Sequence, residues 1–391
     1  MKIKYLRLLD KYLGFLLCLI LFMFKPPRRR PPVSEGGKFN KILVIKFWGF
    51  GSIILAYDFF QVIRRKFPDA YICALTLKQN RQIFEMSGLF DEVISIDIRS
   101  PLRLFAELAK PVFSLSRRSF DVSFDLEFTA RFSAIVSCLI NAKKRIGFRY
   151  GGIWRGDCFT DTVRFKENEK LKKSFLDLAG LVGAGTDAPA AALKLNTGGK
   201  QEEAQVNDLL KKKALLNSGN LVLLNINVSE LCLLRRWPKE YFVALAEGLI
   251  EKNSAQIIFI GSEDDLSYVD STIALVSSEK KASVHNFAGK FSLAQLAYLI
   301  GKSRLFISND SGPLHLAAYL GIPTISFFGP ETPVIYGPEG EFDTIFYRDF
   351  SCSPCIRIKK YKSANCGHNQ RCLREIKPEE VLDEIRRKGI F

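Results

Sequence analysis

The chain has 391 residues, 47% of them apolar and 25% charged, with a formal net charge of +16. That apolar content supports two ordinary cores and excludes wholesale disorder, and nine cysteines are too few for a disulfide-built scaffold. The charge is uneven: residues 1–46 hold 11 basic and 2 acidic side chains, residues 142–173 hold 10 and 4, and residues 352–391 hold 10 and 5, leaving the remainder at about −4 and excluding a uniformly basic body.

Tyr12 to Phe24 carries no charge (YLGFLLCLILFMF). As a helix it is roughly 20 Å long, short of the roughly 30 Å hydrocarbon core. Extension back to Tyr5 takes in Arg7, Asp10 and Lys11, and the spacing predicts an Arg7–Asp10 pair on one helical face. Pro26 and Pro27 stop the helix, and Arg28, Arg29 and Arg30 follow. A cleaved signal peptide needs small residues at the cut, which KPPRRRPP does not offer. The expectation is a membrane anchor and basic linker over 1–34, as a short span or shallow insertion with the arginines on the cytoplasmic leaflet of the inner membrane. The alternative, a core helix of the globular body, fits poorly with the linker-like stretch that follows.

From Lys41 the chain alternates short apolar runs with amphipathic stretches. Predicted strands are Ile42–Ile45, Tyr71–Leu75, Val93–Asp97 and Val122–Leu126; predicted helices are Ile53–Phe67, Gln79–Ser87 and Leu102–Leu108. The pattern weakens between Ala184 and Asn220. It restarts with strands Leu221–Asn225, Ile257–Ile260, Leu305–Ile307 and Thr324–Phe328, and helices Lys239–Lys252, Leu293–Ile300 and Pro313–Leu320. This is an α/β chain with two parallel-sheet units, whose ligand sites belong at the carboxyl ends of strands.

The first glycine turn, Gly49-Phe50-Gly51-Ser52-Ile53-Ile54, opens a helix after a buried strand and is placed to hold an anion. Ile54 stands where a dinucleotide fingerprint needs its third glycine, which disfavours a nicotinamide dehydrogenase. The most informative stretch is Leu305–Pro330 (LFISNDSGPLHLAAYLGIPTISFFGP). Asn309, Asp310, Ser311 and Gly312 follow a strand, Pro313 pre-sets the first helical turn, and His315 lies one turn in. Such a helix start suits a diphosphate.

Here the sequence resembles glycosyltransferase family 9, the lipopolysaccharide heptosyltransferases. The resemblance covers roughly 41–390. It is carried by Ser308–Ala318, Gly321-Ile322-Pro323, Phe328-Gly329-Pro330, Lys41–Leu55, Arg145–Phe148, Arg235-Arg236-Trp237-Pro238, Ile260-Gly261 with Asp264, and the Cys352–Cys372 tail. It implies a GT-B fold, two Rossmann-like domains facing across a cleft: an acceptor domain over 38–190, a linker over 191–218, a nucleotide-sugar domain over 219–377 and a terminal helix over 378–391. It implies inverting transfer of a heptose-type sugar, typically from ADP-heptose, to a lipopolysaccharide core or related anionic glycolipid, with no metal needed for chemistry. Asn309, Asp310, Ser311, Gly312 and His315 would surround the donor. Arg235 falls where the family places a phosphate-binding lysine, and Asp264, or its neighbour Asp265, would meet the ribose.

The family's first turn normally ends Gly-Asp, with the Asp as proposed general base; here it reads Gly51-Ser52. A hydroxyl is too weakly basic to replace a carboxylate alone. Asp125 and Glu127, at a strand end, are the available substitutes, with Glu127 the candidate base. The alternatives are a catalytically impaired, membrane-tethered nucleotide-sugar-binding relative and a GT-B hexosyltransferase with another donor. Gly49, Gly51, Lys144, Arg145 and Arg149, with Lys143 and Arg155, are expected to meet an anionic acceptor. No nucleic-acid module is present. Cys352, Cys355, Cys366 and Cys372 fit a structural zinc site, a disulfide or buried thiols.

Overall fold

The computed structural model describes residues 3–24, 38–97, 101–187, 195–358 and 364–391. The chain divides into two compact units, Met1–Leu195 and Asn196–Phe391.

The first unit is a six-stranded parallel sheet in the order β3-β2-β1-β4-β5-β6. Its strands are β1 (Lys41–Ile45), β2 (Tyr71–Leu77), β3 (Glu92–Ile96), β4 (Val122–Asp125), β5 (Lys144–Arg149) and β6 (Asp161–Arg164). Its helices are α1 (Ile3–Phe24), α2 (Phe50–Ile54), α3 (Tyr57–Lys66), α4 (Arg81–Ser87), α5 (Pro101–Ser116), α6 (Arg131–Ile140) and α7 (Leu171–Gly180). Helices cover both faces of a parallel sheet, which is why β1 is a continuous apolar run, buried from Ile42 to Ile45. Leu43, Ile45, Leu75, Ile96 and Phe120 pack there with Val136 and Ile140 of α6.

The helix predicted over Ile53–Phe67 is two. The Ala56 N–H reaches Ile53 O at 3.1 Å, a three-residue turn that resets the helix axis before α3. Strands β5 and β6 are not predicted, because Lys144–Arg149 (KRIGFR) and Asp161–Arg164 (DTVR) are short, begin and end on charged residues and hold neither an apolar run nor a period-two pattern.

The second unit repeats the plan in the order β12-β11-β10-β7-β8-β9. Its strands are β7 (Leu221–Asn225), β8 (Gln256–Phe259), β9 (Val284–Asn286), β10 (Leu305–Asn309), β11 (Thr324–Phe328) and β12 (Asp343–Tyr347). Its helices are α8 (Lys200–Lys212), α9 (Lys239–Asn253), α10 (Leu266–Ile273), α11 (Leu293–Gly301), α12 (Gly312–Tyr319), α13 (Pro333–Tyr336), α14 (Arg371–Arg374) and α15 (Pro378–Arg387). Helix α8 occupies the stretch read as linker; it buries Val206 and Leu210, and Asn207 Nδ2 donates to Tyr298 Oη of α11 at 3.0 Å. Trp237 is fully buried, stacked on Phe327 with centroids 4.1 Å apart, and its indole N–H donates to Ile376 O at 3.0 Å. Val381 and Ile385 of α15 join that core.

Helix α1 is present, but no helix of the described residues is long and apolar enough to cross a membrane. It packs on α6. Asp10 binds α6: Oδ1 accepts from Phe132 N at 2.7 Å and Oδ2 from Arg131 N at 3.2 Å. Those are orphan amides of the first turn of α6, which a carboxylate satisfies well. The side chain of Arg7, and the Pro26–Arg30 stretch, lie outside the described residues.

Candidate active site

In the first unit the candidate groups gather at the carboxyl ends of β1 and β4. Gly49 takes φ +83°, a backbone conformation that a side chain resists, and it precedes α2. Ser52 Oγ lies 2.8 Å from Gly49 O and 3.0 Å from Trp48 O, so its hydroxyl proton is directed at the turn's own carbonyls. Gly51 sits in the first turn of α2.

Glu127 is buried. Its Oε1 accepts from Lys46 Nζ at 2.9 Å, Phe47 N at 2.8 Å and Trp48 N at 2.8 Å. Its Oε2 has no hydrogen-bond partner among the described residues. One oxygen is thus fixed by three donors while the other is left for a ligand, which is the geometry a positioned base requires. Asp125 is a different case. It is fully buried, Oδ1 accepts from Glu127 N at 2.9 Å, and Oδ2 pairs with Arg155. Burial pushes its carboxyl up to about 6, against the Arg155 charge. Asp125 and Arg155 therefore brace the loop rather than face a substrate: Arg155 also donates to Glu127 O at 2.7 Å and Ala130 O at 2.9 Å.

The basic segment splits the same way. Arg145 is buried and donates to Cys158 O at 2.7 Å and Ala142 O at 3.0 Å, so it and Arg155 are internal staples rather than acceptor contacts. Both lie where strand ends leave carbonyls unpaired, and a guanidinium satisfies several at once. Lys144 Nζ donates to Leu181 O at 2.8 Å. Lys143 pairs with Asp121 at 2.8 Å and stays exposed. Arg149 is exposed and open.

In the second unit the site lies at the carboxyl ends of β7, β8 and β10. Asn309 is fully buried; its amide donates to Ile226 O at 2.8 Å and its Oδ1 accepts from Trp237 N at 2.8 Å. It holds the Arg235–Trp237 turn in place from within the core, fully buried. Ser311 caps α12, taking Leu314 N at 3.4 Å, and its Oγ also meets Asn225 Nδ2 at 2.9 Å and Ser308 Oγ at 2.8 Å. Gly312 begins the helix and His315 is buried one turn later.

Arg235 Nη1 lies 2.9 Å from Asp310 Oδ2. Burial alone would lower the guanidinium's pKa; the Asp310 carboxylate, and Glu331 behind it, outweigh that and hold it above its ordinary value. The Arg235 Nε–H is nevertheless buried without an acceptor, and so is that of Arg236, whose guanidinium sits 3.8 Å over the Tyr268 ring. Two guanidinium groups with buried, unpaired N–H donors are suited to an anion. Asp265 is consumed as a cap, its Oδ2 accepting from Ser262 N at 2.9 Å, whereas Asp264 is exposed and available.

Comparison with known proteins settles the family. The model for "Glycosyltransferase family 9 (heptosyltransferase)" matches residues 110–364. The chain belongs to glycosyltransferase family 9. This glycosyltransferase is 23% identical over 358 residues to lipopolysaccharide heptosyltransferase 2 of Escherichia coli K12, covering 88% of this chain and 97% of that protein. It is 29% identical over 154 residues to lipooligosaccharide heptosyltransferase 2 of Campylobacter jejuni serotype O:6, covering 39% of this chain and 46% of that protein. The structure of E. coli ADP-heptose heptosyltransferase II shares its fold, with a TM-score of 0.70 at 22% identity over 89% of this chain and 98% of that one. The two Rossmann-like units of this glycosyltransferase are those of a GT-B fold.

Sequence reasoning missed Lys46, which is buried and donates to both Glu127 and Trp48 O. A lysine closing an apolar strand run was the available signal. It also missed Asn225 and Asn227; Asn227 Oδ1 is buried with no partner, beside Gly261. The four tail cysteines are free thiols, and burial pushes Cys372 up to about 11. Among the described residues no three Cys, His, Asp or Glu side chains converge as metal ligands.

Proposed function

We propose that this glycosyltransferase transfers a heptose, with inversion, from ADP-heptose to a lipopolysaccharide-core acceptor at the cytoplasmic face of the inner membrane. The observation that carries the reading is the Arg235–Asp310 pair at the start of α12, with the Arg235 and Arg236 Nε–H groups buried and unpaired. A diphosphate supplies the missing acceptors. The E. coli ADP-heptose heptosyltransferase II, with the same fold, supports the choice of donor.

In this mechanism Glu127 Oε2 takes the proton of an acceptor hydroxyl. The acceptor oxygen forms a bond to the anomeric carbon from the face opposite the diphosphate, and the sugar–phosphate C–O bond breaks. The electron pair leaves on ADP. Arg235, Arg236 and the amide end of α12 stabilise that charge as it develops. Lys46 and the Phe47 and Trp48 amides hold Glu127 oriented. Asp264 is available to the ribose hydroxyls, and Arg149 to anionic groups of the acceptor.

A second reading, a relative that binds the nucleotide sugar without turning it over, is favoured by Ser52, whose hydroxyl is spent on the turn's own carbonyls. Acceptor-dependent ADP release by the wild-type chain supports the first reading; ADP binding with no release, over a range of core acceptors, supports the second.

A further inference from the structure

Helix α1 is apolar nearly all round, and the structure covers only half of it. Its inner stripe, Asp10, Gly14, Leu17, Cys18 and Leu21, follows the three-to-four residue spacing of one helical face. Gly14 packs against Arg131, Cys18 is fully buried, and Leu21 joins Ala134, Cys138 and Cys158. Phe15 and Phe22, on one flank, meet the edge of Trp154 with centroids 5.7 and 5.9 Å apart. The outer arc is Leu8, Tyr12, Leu16, Leu19 and Met23, which are 52, 62, 51, 38 and 67% exposed. Of the seventeen exposed large hydrophobic side chains among the described residues, ten lie on this helix. A soluble surface helix would put charge on that arc; among the described side chains Lys11 lies at its margin, with Nζ 5.0 Å from the Tyr12 ring centroid.

We infer that the outer arc of α1 seats in the plane of an anionic phospholipid bilayer, as a fixed part of the first unit rather than as a span. The charge at both ends names the occupant. Lys2, Lys4 and Arg7 precede the arc, and Lys25, Arg28, Arg29 and Arg30 follow it. Basic sequence on both sides of an apolar strip complements phosphate headgroups over acyl chains and is poorly matched to a protein's apolar surface. The inner stripe excludes crossing while the helix stays docked: Asp10 is bound to the α6 amides, and the buried Cys18 fills the space beside Gly156.

The seating also bears on the candidate site. Asp10 grips the amides of Arg131 and Phe132, four and five residues beyond Glu127. Trp154, which touches α1, accepts from Arg131 Nε at 3.1 Å through its carbonyl. Its neighbour Arg155 holds the Glu127 carbonyl. The loop that presents Glu127 is therefore fastened to the membrane-seated helix, which suits an acceptor carried on a lipid. This inference deepens the proposed membrane-face function and rests on it for that last step only.

The test uses the full chain and flotation with two kinds of vesicle, phosphatidylcholine alone and phosphatidylcholine with phosphatidylglycerol. The wild type is expected to float with the anionic vesicles, and Leu16→Glu/Leu19→Glu to lose about tenfold or more in partition. Phe342→Glu, an exposed apolar residue of the second unit, is the control and binds as wild type. Both replaced positions are solvent-facing, and unchanged circular dichroism verifies folding. Nitroxides at Leu8→Cys and Met23→Cys, roughly 22 Å apart along the helix, are expected at equal, shallow depth. Equal flotation of the double variant overturns the inference, as do labels at two different depths. So does a wild-type dimer that the double variant dissolves, which would make a second copy the occupant. Turnover on a water-soluble acceptor is a separate readout: if flotation behaves as expected and turnover is absent, the glycosyl-transfer reading fails and this one stands.

Discussion

The carboxylate of Asp10 lies 2.7 Å from the backbone nitrogen of Phe132, joining the first helix of the chain to the first turn of α6 across more than a hundred residues. Burial raises the Asp10 pKa above its ordinary 3.8, and the Phe132 and Arg131 hydrogen bonds and the nearby arginines only partly offset it.

The sign of that shift sets a pH test. A carboxyl raised in the folded state contributes stability that is present below its unfolded pKa and lost as pH rises through the folded value. Wild type is therefore expected to gain stability as pH falls from 7 toward 3.8 and Asp10 takes up its proton. Asp10→Asn, which does not titrate and keeps one acceptor oxygen for α6, should lack that gain. Asp10→Ala leaves the amides of α6 unpaired and is expected to cost about 1 kcal/mol. Denaturant melts of the three proteins across that pH range check both expectations.

Glu127→Gln keeps the size of the side chain and an oxygen for Lys46, Phe47 and Trp48, but removes the base. Its turnover is expected to fall by roughly 10²–10⁴, with ADP affinity unchanged. Retention of near-wild-type turnover with ADP-heptose and acceptor would remove Glu127 from the mechanism.

Arg235→Ala breaks a buried pair and strands Asp310. Its stability is expected to drop by about 3–5 kcal/mol. Where the variant still folds, ADP should bind roughly 10- to 100-fold more weakly, from loss of a charge-assisted hydrogen bond. Calorimetric titration with ADP measures the second effect. Asp310→Asn controls for the first, since it disturbs the pair but leaves the guanidinium for the phosphates.

Trp237→Phe tests the scaffold beneath that turn. It shrinks a fully buried ring stacked on Phe327 and leaves Ile376 O without its donor. A loss of about 1–3 kcal/mol is expected for the unsatisfied carbonyl, read as a lower denaturant midpoint.

The sequence carried much of this fold because buried parallel strands are apolar on both faces: β1, β7, β10 and β11 stand out as runs. It did not carry β5, β6, β9 or β12, short strands whose polar residues break the apolar run, as Arg145 does in β5, where its guanidinium is satisfied by the Cys158 carbonyl. The Asp310–His315 helix start reads in the sequence as one suited to a diphosphate, while the Arg235-Arg236-Trp237 turn stands out only through the family resemblance. Which of their residues face a ligand is not legible there, because Asn309 and Asp310 are adjacent and alike in chemistry. Only the fold shows that Asn309 holds Trp237 while Asp310 meets Arg235. At the amino terminus the sequence showed the apolar run but not its Asp10 tie to α6.

The central claim is heptosyl transfer from an ADP-linked donor. It is tested most directly by incubating the purified chain with ADP-heptose and a heptose-deficient core acceptor, beside UDP- and GDP-hexoses, and measuring nucleotide release and the anomeric configuration of the product. Acceptor-dependent release of ADP is expected, with one heptose added in the inverted configuration. Turnover with a UDP- or GDP-sugar and none with ADP-heptose would contradict it.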